Sequence, residues 1–253
     1  IHERLVGSEM CIRDRNKGQW AMIFNESVKN DSNPVDKTEK FMFDGERLIQ
    51  HIIKQRYFEE EISNEVNLSY SDNQVTVTTD YPTLVYTLNS EGYASQCVYS
   101  LSSQNRIYQF SYSAEGYLTG IVENIDNTEY SSTSLTYENG DITSISSKMN
   151  GLENKFIYEP GEESSTYHLP CLGLLEIHPL TFHIEALYAG LLGKDPRHFT
   201  IRSCPAGSND EKTIYSYEFD KKGNPSRMIC QTTYAGGQAS YYPYTRNISV
   251  SFE

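Results

Sequence analysis

The chain lacks any apolar run approaching the ~18 residues that a membrane-crossing helix needs, so no such helix is expected. Basic residues are scarce. Lys and Arg total 21 against 34 Asp and Glu, for a net charge of −13. Phosphate backbones and anionic lipid surfaces are held by basic patches, so nucleic acid is excluded as the expected partner. The acidity reads as solubility. No Gly-x-Ser-x-Gly elbow is present, which removes that class of hydrolase. Gly236-Gly237 lacks the lysine and following helix of a phosphate loop and reads as a turn. Ser, His and Asp occur at ordinary levels, and a triad cannot be read from spacing. No cofactor is implied. Tryptophan occurs once, against twenty tyrosines.

What is present is a recurring phrase: two aromatic or aliphatic residues one apart, a polar turn with Gly or Asn, then an alternating run. The copies are Phe41 to Leu48, Leu68 to Val75, Tyr86 to Tyr93, Phe110 to Leu118, Leu135 to Ile142, and Tyr217 to Asn224. Alternation puts Phe110 and Tyr112, or Leu135 and Tyr137, on one face of a strand. The turns need positive φ, which Gly and Asn supply at least cost. Asn139-Gly140 and Asp44-Gly45 suit tight hairpin turns, and the approaches to Gly92, Gly116 and Gly223 suit longer ones. Gly92, Gly116 and Gly140 follow a period of 24 residues, enough for two strands and two turns and too short for a propeller blade. An open meander would leave two edges exposed, which curling or a covering segment would protect.

The segments FSYSAEGYLTGI (110–121), LTYENGDITSI (135–145) and YSYEFDKKGNPSRM (215–228) resemble a family of Bacteroidetes envelope proteins known as a domain of unknown function with a porin-like fold. LYAGLLGKDPRHF (187–199) resembles that family's helical insertion, and the likeness runs from about Phe41 to Glu253. The hairpin phrases alone also resemble the tyrosine-aspartate repeats of secreted toxin shells. The family resemblance implies a secreted or lipid-anchored all-β protein of the cell envelope, periplasmic or on the outer-membrane surface, and brings no catalytic residues. A porin-like fold need not be a porin: a membrane barrel needs an apolar outer band and aromatic girdles. Here the strands read as short, with polar stretches such as Ser131 to Ser134, and the chain ends on Glu253. No integral membrane span is expected.

Residues 5–15 resemble the in-frame translation of a sequencing adapter, as in a metagenomic assembly truncated at its 5′ end. Residues 1–15 are therefore set apart from the fold, leaving room for a lost leader and lipid anchor. Residues 16–40 read as an N-terminal segment and linker, with Trp20 to Phe24 as a first strand and Asn30 to Pro34 as the linker. Residues 41–253 read as one hairpin-repeat domain.

From about 160 to 205 the alternation fails. Ile184, Leu187, Tyr188 and Leu191 form a helical stripe, with Gly193 as C-cap and Pro196 beyond it. This insertion reads as a cover or plug for the sheet, the alternative being a mobile lid. It also gathers His168, Cys171, His178 and His183 with Glu176 and Glu185. Zinc sites use tighter spacings, so packing histidines are the plainer reading. Cys97 and Cys230 read as buried apolar residues. Cys171 and Cys204 bracket the insertion, and spacing alone leaves open whether they are bridged. Glu59-Glu60-Glu61 reads as a solvated acidic run. Tyr241, Tyr242 and Tyr244 form a candidate aromatic platform for a ligand, the alternative being that they fill the end of the core.

The expected fold is an all-β antiparallel meander of consecutive hairpins, curled toward an open barrel, with one short helical insertion. The expected function is a non-enzymatic envelope protein binding a glycan or a protein ligand. A carboxylate hydrolase sited at the insertion through Glu176 or Glu185, and a purely structural shell, are the rivals.

Overall fold

The computed structural model describes residues 18–29, 35–57, 60–79, 83–100, 104–165, 169, 172–208, 210–233 and 244–253. Sixteen antiparallel strands close into one barrel in which every strand pairs with its sequence neighbours and β1 pairs with β16. The strands are β1 (Gln19–Lys29), β2 (Val35–Asp44), β3 (Arg47–Tyr57), β4 (Glu60–Tyr70), β5 (Gln74–Thr78), β6 (Thr83–Leu88), β7 (Ala94–Ser100) and β8 (Asn105–Tyr112). They continue with β9 (Leu118–Ile125), β10 (Thr128–Glu138), β11 (Asp141–Met149), β12 (Leu152–Ser164), β13 (His198–Pro205), β14 (Lys212–Phe219), β15 (Pro225–Thr233) and β16 (Tyr244–Phe252). The expected first strand is part of β1, and its partners on the two sides are Glu39 and Val250 for Phe24. Closure leaves no free sheet edge.

Each of the six phrases makes a hairpin, and all six turns lie at one end of the barrel, here the turn end. Three of these turns share one hydrogen-bond pattern. The side-chain oxygen of the first residue (Asn89, Ser113 or Asp220) accepts from the backbone N–H groups two and four residues on. The backbone of that first residue pairs with the fifth, and a glycine at positive φ sits fourth. Turn chemistry of this kind is what Asn, Ser and Asp provide.

Between successive hairpins the ladders stop short of the turn end. β7 and β8 pair only as far as Gln96 and Gln109, and β9 and β10 only to Gly120 and Ser134. Tyrosines of the phrase bridge these gaps. Tyr70 donates to the Leu48 carbonyl at 2.8 Å, Tyr112 to Ala94 at 2.6 Å, and Tyr217 to Thr200 at 2.8 Å. Each ring fills the opening while its hydroxyl satisfies a carbonyl that the ladder has abandoned. Burial pushes the Tyr70 hydroxyl up to about 12.

A sixteen-stranded barrel is too wide for wall side chains alone to fill. The connection between β12 and β13 fills it. Two 3-10 turns (Leu172–Glu176 and Leu180–Phe182) and the short helix α1 (Ile184–Tyr188) enter the lumen from the turn end. Leu172, Leu174, Leu180, Ala186, Leu187, Tyr188, Leu191 and Leu192 are buried against inward residues such as Met22, Phe41, Tyr86, Phe110, Ile121 and Ile145. The helix ends earlier than its sequence stripe suggests. The Leu191 N–H bonds the Ala186 carbonyl and the Gly190 N–H bonds Leu187, with Gly190 at φ +68, so Gly190 rather than Gly193 follows the cap. Gly193 serves a close approach instead: a Cβ there would stand 2.7 Å from the Gly116 carbonyl. The strap then seals the rim, with Leu191 C=O accepting from Ala94, and the Lys194 and Arg197 N–H groups donating to Gly116 and Gly140.

The strands are longer than they read in sequence, reaching 13 residues in β12 and 11 in β1, β3, β4 and β10. The hydrogen-bond ladder continues past the point where the apolar alternation ends. Glu60 and Glu61, read as a solvated run, are the first residues of β4.

Candidate functional site

The lumen has two halves. At the turn end it is filled. At the other end, here the mouth, inward positions keep the strand alternation but become solvent-exposed, with polar residues entering among the apolar ones. On β4 the inward series is Leu68 and Val66, buried, then Asn64 and Ile62, exposed. On β11 it is Ile145, buried, then Ser147 and Met149, increasingly exposed. The plug forms the floor between the halves.

Four titratable plug residues meet the wall, each at a different strand. Glu176 accepts from Arg246 of β16 at 2.6 Å, and Arg246 also pairs with Glu26 of β1 at 2.6 Å. The two carboxylates hold the Arg246 guanidinium well above its usual range despite its burial. His178 Nε2 lies 2.7 Å from Glu123 of β9. Glu123 is fully buried and also accepts from Arg106 (3.1 Å), Tyr108 (3.2 Å) and Ser131 (2.7 Å). Burial alone would raise its carboxyl, but the His178 and Ser131 hydrogen bonds outweigh that and hold it below the usual range. His183 Nδ1 lies 2.7 Å from the Tyr86 hydroxyl of β6, with complete burial pushing the imidazole down to about 3. Glu185 lies 2.8 Å from His51 Nδ1 of β3, whose Nε2 is 3.4 Å from Glu39. Burial would lower His51, but the hydrogen bonds and charges of the two carboxylates outweigh it and hold its pKa above the ordinary value.

The insertion residues singled out in the sequence thus fan out around the barrel rather than converge. Among the described residues no group of three or more His, Cys, Asp and Glu could hold a metal ion. His168 and Cys171 lie outside the described residues, Cys204 is a free thiol, and Cys97 and Cys230 are buried in the core. Burial pushes the Cys97 thiol up to about 12. Of the candidate platform, Tyr241 and Tyr242 lie outside the described residues. Tyr244 begins β16, at the mouth, and only its backbone is described.

Beside His178 the floor carries a small aromatic group centred on Phe182, a residue that sequence reading missed. Phe182 is 42% exposed and packs edge-on against His178 (centroids 5.6 Å) and near Tyr99 (6.5 Å). Tyr130 stands 6.3 Å from His178, with the Arg106 guanidinium over its ring at 5.9 Å. The only sequence signal was that Phe182 sits outside the helical stripe, on a polar-flanked turn. Of the five exposed large apolar residues among those described, Ile62, Met149 and Leu152 occupy inward positions near the mouth, Phe182 lies on the floor, and Ile201 covers Gly161 on β12. Outward positions carry Lys40, Lys54, Glu65, Asn67, Gln109, Ser132, Ser134 and Arg227, interspersed with half-buried apolar residues that include Ile23, Ile52, Val122, Ile229 and the cross-strand row Val85, Val98 and Ile107.

Two open grooves lie on the turn rim. One, of about 660 Å³, runs where β9 and β10 part and is lined by Tyr117, Tyr137, Lys194 and Arg197. The other, about 470 Å³, adjoins Trp20 and Phe252. Their rings stack pairwise, Tyr117 on Tyr137 at 4.9 Å and Trp20 on Phe43 at 4.2 Å, which is how hairpin phrases fill the gaps between ladders.

A porin-like protein from Bacteroides uniformis ATCC 8492 has the same fold, with a TM-score of 0.83 and 26% identity over 92% of this chain and 96% of that one. A second porin-like protein, from Bacteroides vulgatus ATCC 8482, aligns with a TM-score of 0.55 and 11% identity over 90% and 96%, which shows the fold alone. No curated protein matches the chain. Residues 41–227 match the model of the domain of unknown function DUF4595 with porin-like fold, and the chain belongs to that family.

Proposed function

We propose that this is a non-enzymatic binding protein of the cell envelope that holds its ligand in the mouth half of the barrel lumen. The observation that carries the reading is the placement of the exposed apolar side chains. Four of the five turn inward or lie on the floor, where they contribute nothing to an outer interface. Concave sites with apolar surface and a few convergent polar groups are where small ligands bind. The likeness to porin-like proteins of Bacteroides supports an envelope location. Outward charges favour a barrel that stands in water: Lys54 and Arg227 would each cost about 2–4 kcal/mol near a bilayer midplane, and Glu65 less. The carboxylates of the hydrolase alternative are engaged elsewhere: Glu176 and Glu185 bind different strands and share no cleft. Tyr241 and Tyr242, which precede β16 in sequence, and Tyr244, its first residue, remain proposed contacts for the same glycan or protein ligand.

The test compares wild type with Thr181→Trp, which crowds the floor from an exposed position. Both are screened on a glycan array and by thermal shift against small molecules. Expected is at least one ligand bound by wild type and lost on Thr181→Trp. Ligands that survive the substitution would place binding outside the lumen, and chemical turnover of any bound substrate would overturn the non-enzymatic assignment.

A further inference from the structure

The floor beside His178 differs from the rest of the mouth. Across the lumen, Lys37, Glu39, His51 and Arg246 are engaged in ion pairs. On the β7–β11 side, charge is cancelled at its source: Arg106 and His178 both bond the buried Glu123. What remains accessible is an aromatic face with hydrogen-bonding groups around it. Phe182 is nearly half exposed, although its neighbours Leu180 and His183 are fully buried. A phenyl ring left open in a concavity keeps apolar area in water, and the ring contacts described for it are with His178 of the plug and Tyr99 of the wall. Tyr130 and Tyr99 flank it. The Nε of Arg106 is buried with no hydrogen-bond partner among the described residues, an orphan donor beside the Tyr130 ring.

We propose that this floor is a subsite for one ring of a neutral saccharide, resting on the luminal-binding reading above. The axial C–H face of a sugar ring stacks on Phe182, flanked by Tyr99 and His178. Its hydroxyls take hydrogen bonds from the Arg106 guanidinium and exchange them with the Tyr130 hydroxyl. The chemistry discriminates between ligand classes. A uronate or phosphate would need an unpaired cation, and the Arg106 guanidinium is already bound to Glu123. A long acyl chain would need a continuous apolar channel, and the inward wall around the floor carries Ser131, Thr133 and Ser147 instead. A neutral polyol asks for the combination present: one apolar plate, planar polar groups at its edge, and no net charge.

The experiment is ligand-observed saturation-transfer NMR, followed by calorimetric titration. The probes are short neutral oligosaccharides of glucose, mannose, galactose and N-acetylglucosamine, with an oligouronate and decanoate as the other arms. The proteins are wild type, Phe182→Ala, Arg106→Lys, Thr181→Trp and the turn-rim control Tyr117→Ala. Thermal melts check that each is folded. Expected is binding of at least one neutral oligosaccharide, weakened about tenfold by Phe182→Ala, comparably by Arg106→Lys, and unchanged by Tyr117→Ala. A neutral sugar that Thr181→Trp blocks but Phe182→Ala leaves intact would overturn the subsite while sparing the luminal reading. Luminal binding of decanoate or the uronate alone would overturn the ligand class. Binding lost only on Tyr117→Ala would move the site to the turn rim and overturn both proposals. No binding by any probe would overturn the saccharide assignment.

Discussion

Leu180 and Phe182 stand two residues apart on one 3-10 turn, yet Leu180 is fully buried and Phe182 is 42% exposed. They mark the boundary between two regions made from the same strands. Toward the turns, inward positions are Leu, Ile, Val, Phe and Tyr, and the plug completes a dry core. Toward the mouth, the same alternation continues with Asn64, Gln55, Ser147 and paired charges. The backbone ladder is indifferent to this change, because its hydrogen bonds do not depend on side-chain polarity. One region stabilises the barrel and holds the plug. The other is free to present chemistry because the first has already secured the fold.

This contrast can be broken experimentally, starting where the largest effect is expected. Glu123→Ala should cost about 3–5 kcal/mol, since it strands Arg106, Tyr108, Ser131 and His178 around a buried site, whereas Glu176→Ala, at an exposed pair, should cost about 0–1 kcal/mol. Urea denaturation of both variants reads the difference, and equal losses would mean that the floor is not divided as described. Leu180→Ala should cost about 2–5 kcal/mol, and Phe182→Ala under about 1 kcal/mol, because only the first opens a cavity in packed core.

A third contrast is acid sensitivity. His183 is held neutral by burial, with its pKa near 3 when folded and 6.5 as the ordinary value. The unfolded chain therefore takes up a proton that the folded chain refuses, so stability falls as pH drops below 6.5, by at most about 1.4 kcal/mol per unit. His51 has the opposite sign: its contribution is fully present below 6.5 and is lost as pH rises through its raised pKa. Glu39 and Glu123, both held low, lose their contributions only below about 4.5. Between pH 4.5 and 6.5 the slope thus isolates His183 from them, and His183→Gln should flatten it. Unchanged urea midpoints between pH 5 and 6.5 in wild type would show that the imidazole is not sealed as the packing indicates.

The smallest effect tests the tyrosine bridges. Tyr112→Phe keeps the ring and removes one hydrogen bond to Ala94, an expected loss of about 0.5–1.5 kcal/mol. Amide exchange should quicken at the β7–β8 gap and leave the fully paired β5–β6 ladder unaltered.

The hairpins were legible because their signals are local. Asn139-Gly140 and the Asn89, Ser113 and Asp220 turns carry their geometry in a few adjacent residues, and alternation marks the half of each strand that faces core. Strand length was less legible, since the mouth halves of β4 and β11 carry mostly polar residues on both faces and look like loops. The helix end was misplaced by three residues because Gly190 and Gly193 are both glycines, and only the Leu191-to-Ala186 bond tells which one caps. The histidines and glutamates of the insertion were visible as residues, but their partners Glu123, Tyr86, His51 and Arg246 are between 55 and 134 positions away. Nothing local announces such pairs. Phe182, the centre of the proposed subsite, belongs to no periodic pattern and is marked only by its place outside the helical stripe.

By itself, then, the sequence determined an acidic all-β chain of consecutive hairpins interrupted once, because turns and alternation are fixed by residues within a few positions of one another. Only the tertiary structure decided that the sheet closes, that the interruption fills it, and that the unfilled half faces the mouth. Each depends on a sum over the whole chain: sixteen strands set the width, that width leaves a lumen wall side chains cannot fill, and the one long connection on the turn side lies where it can enter.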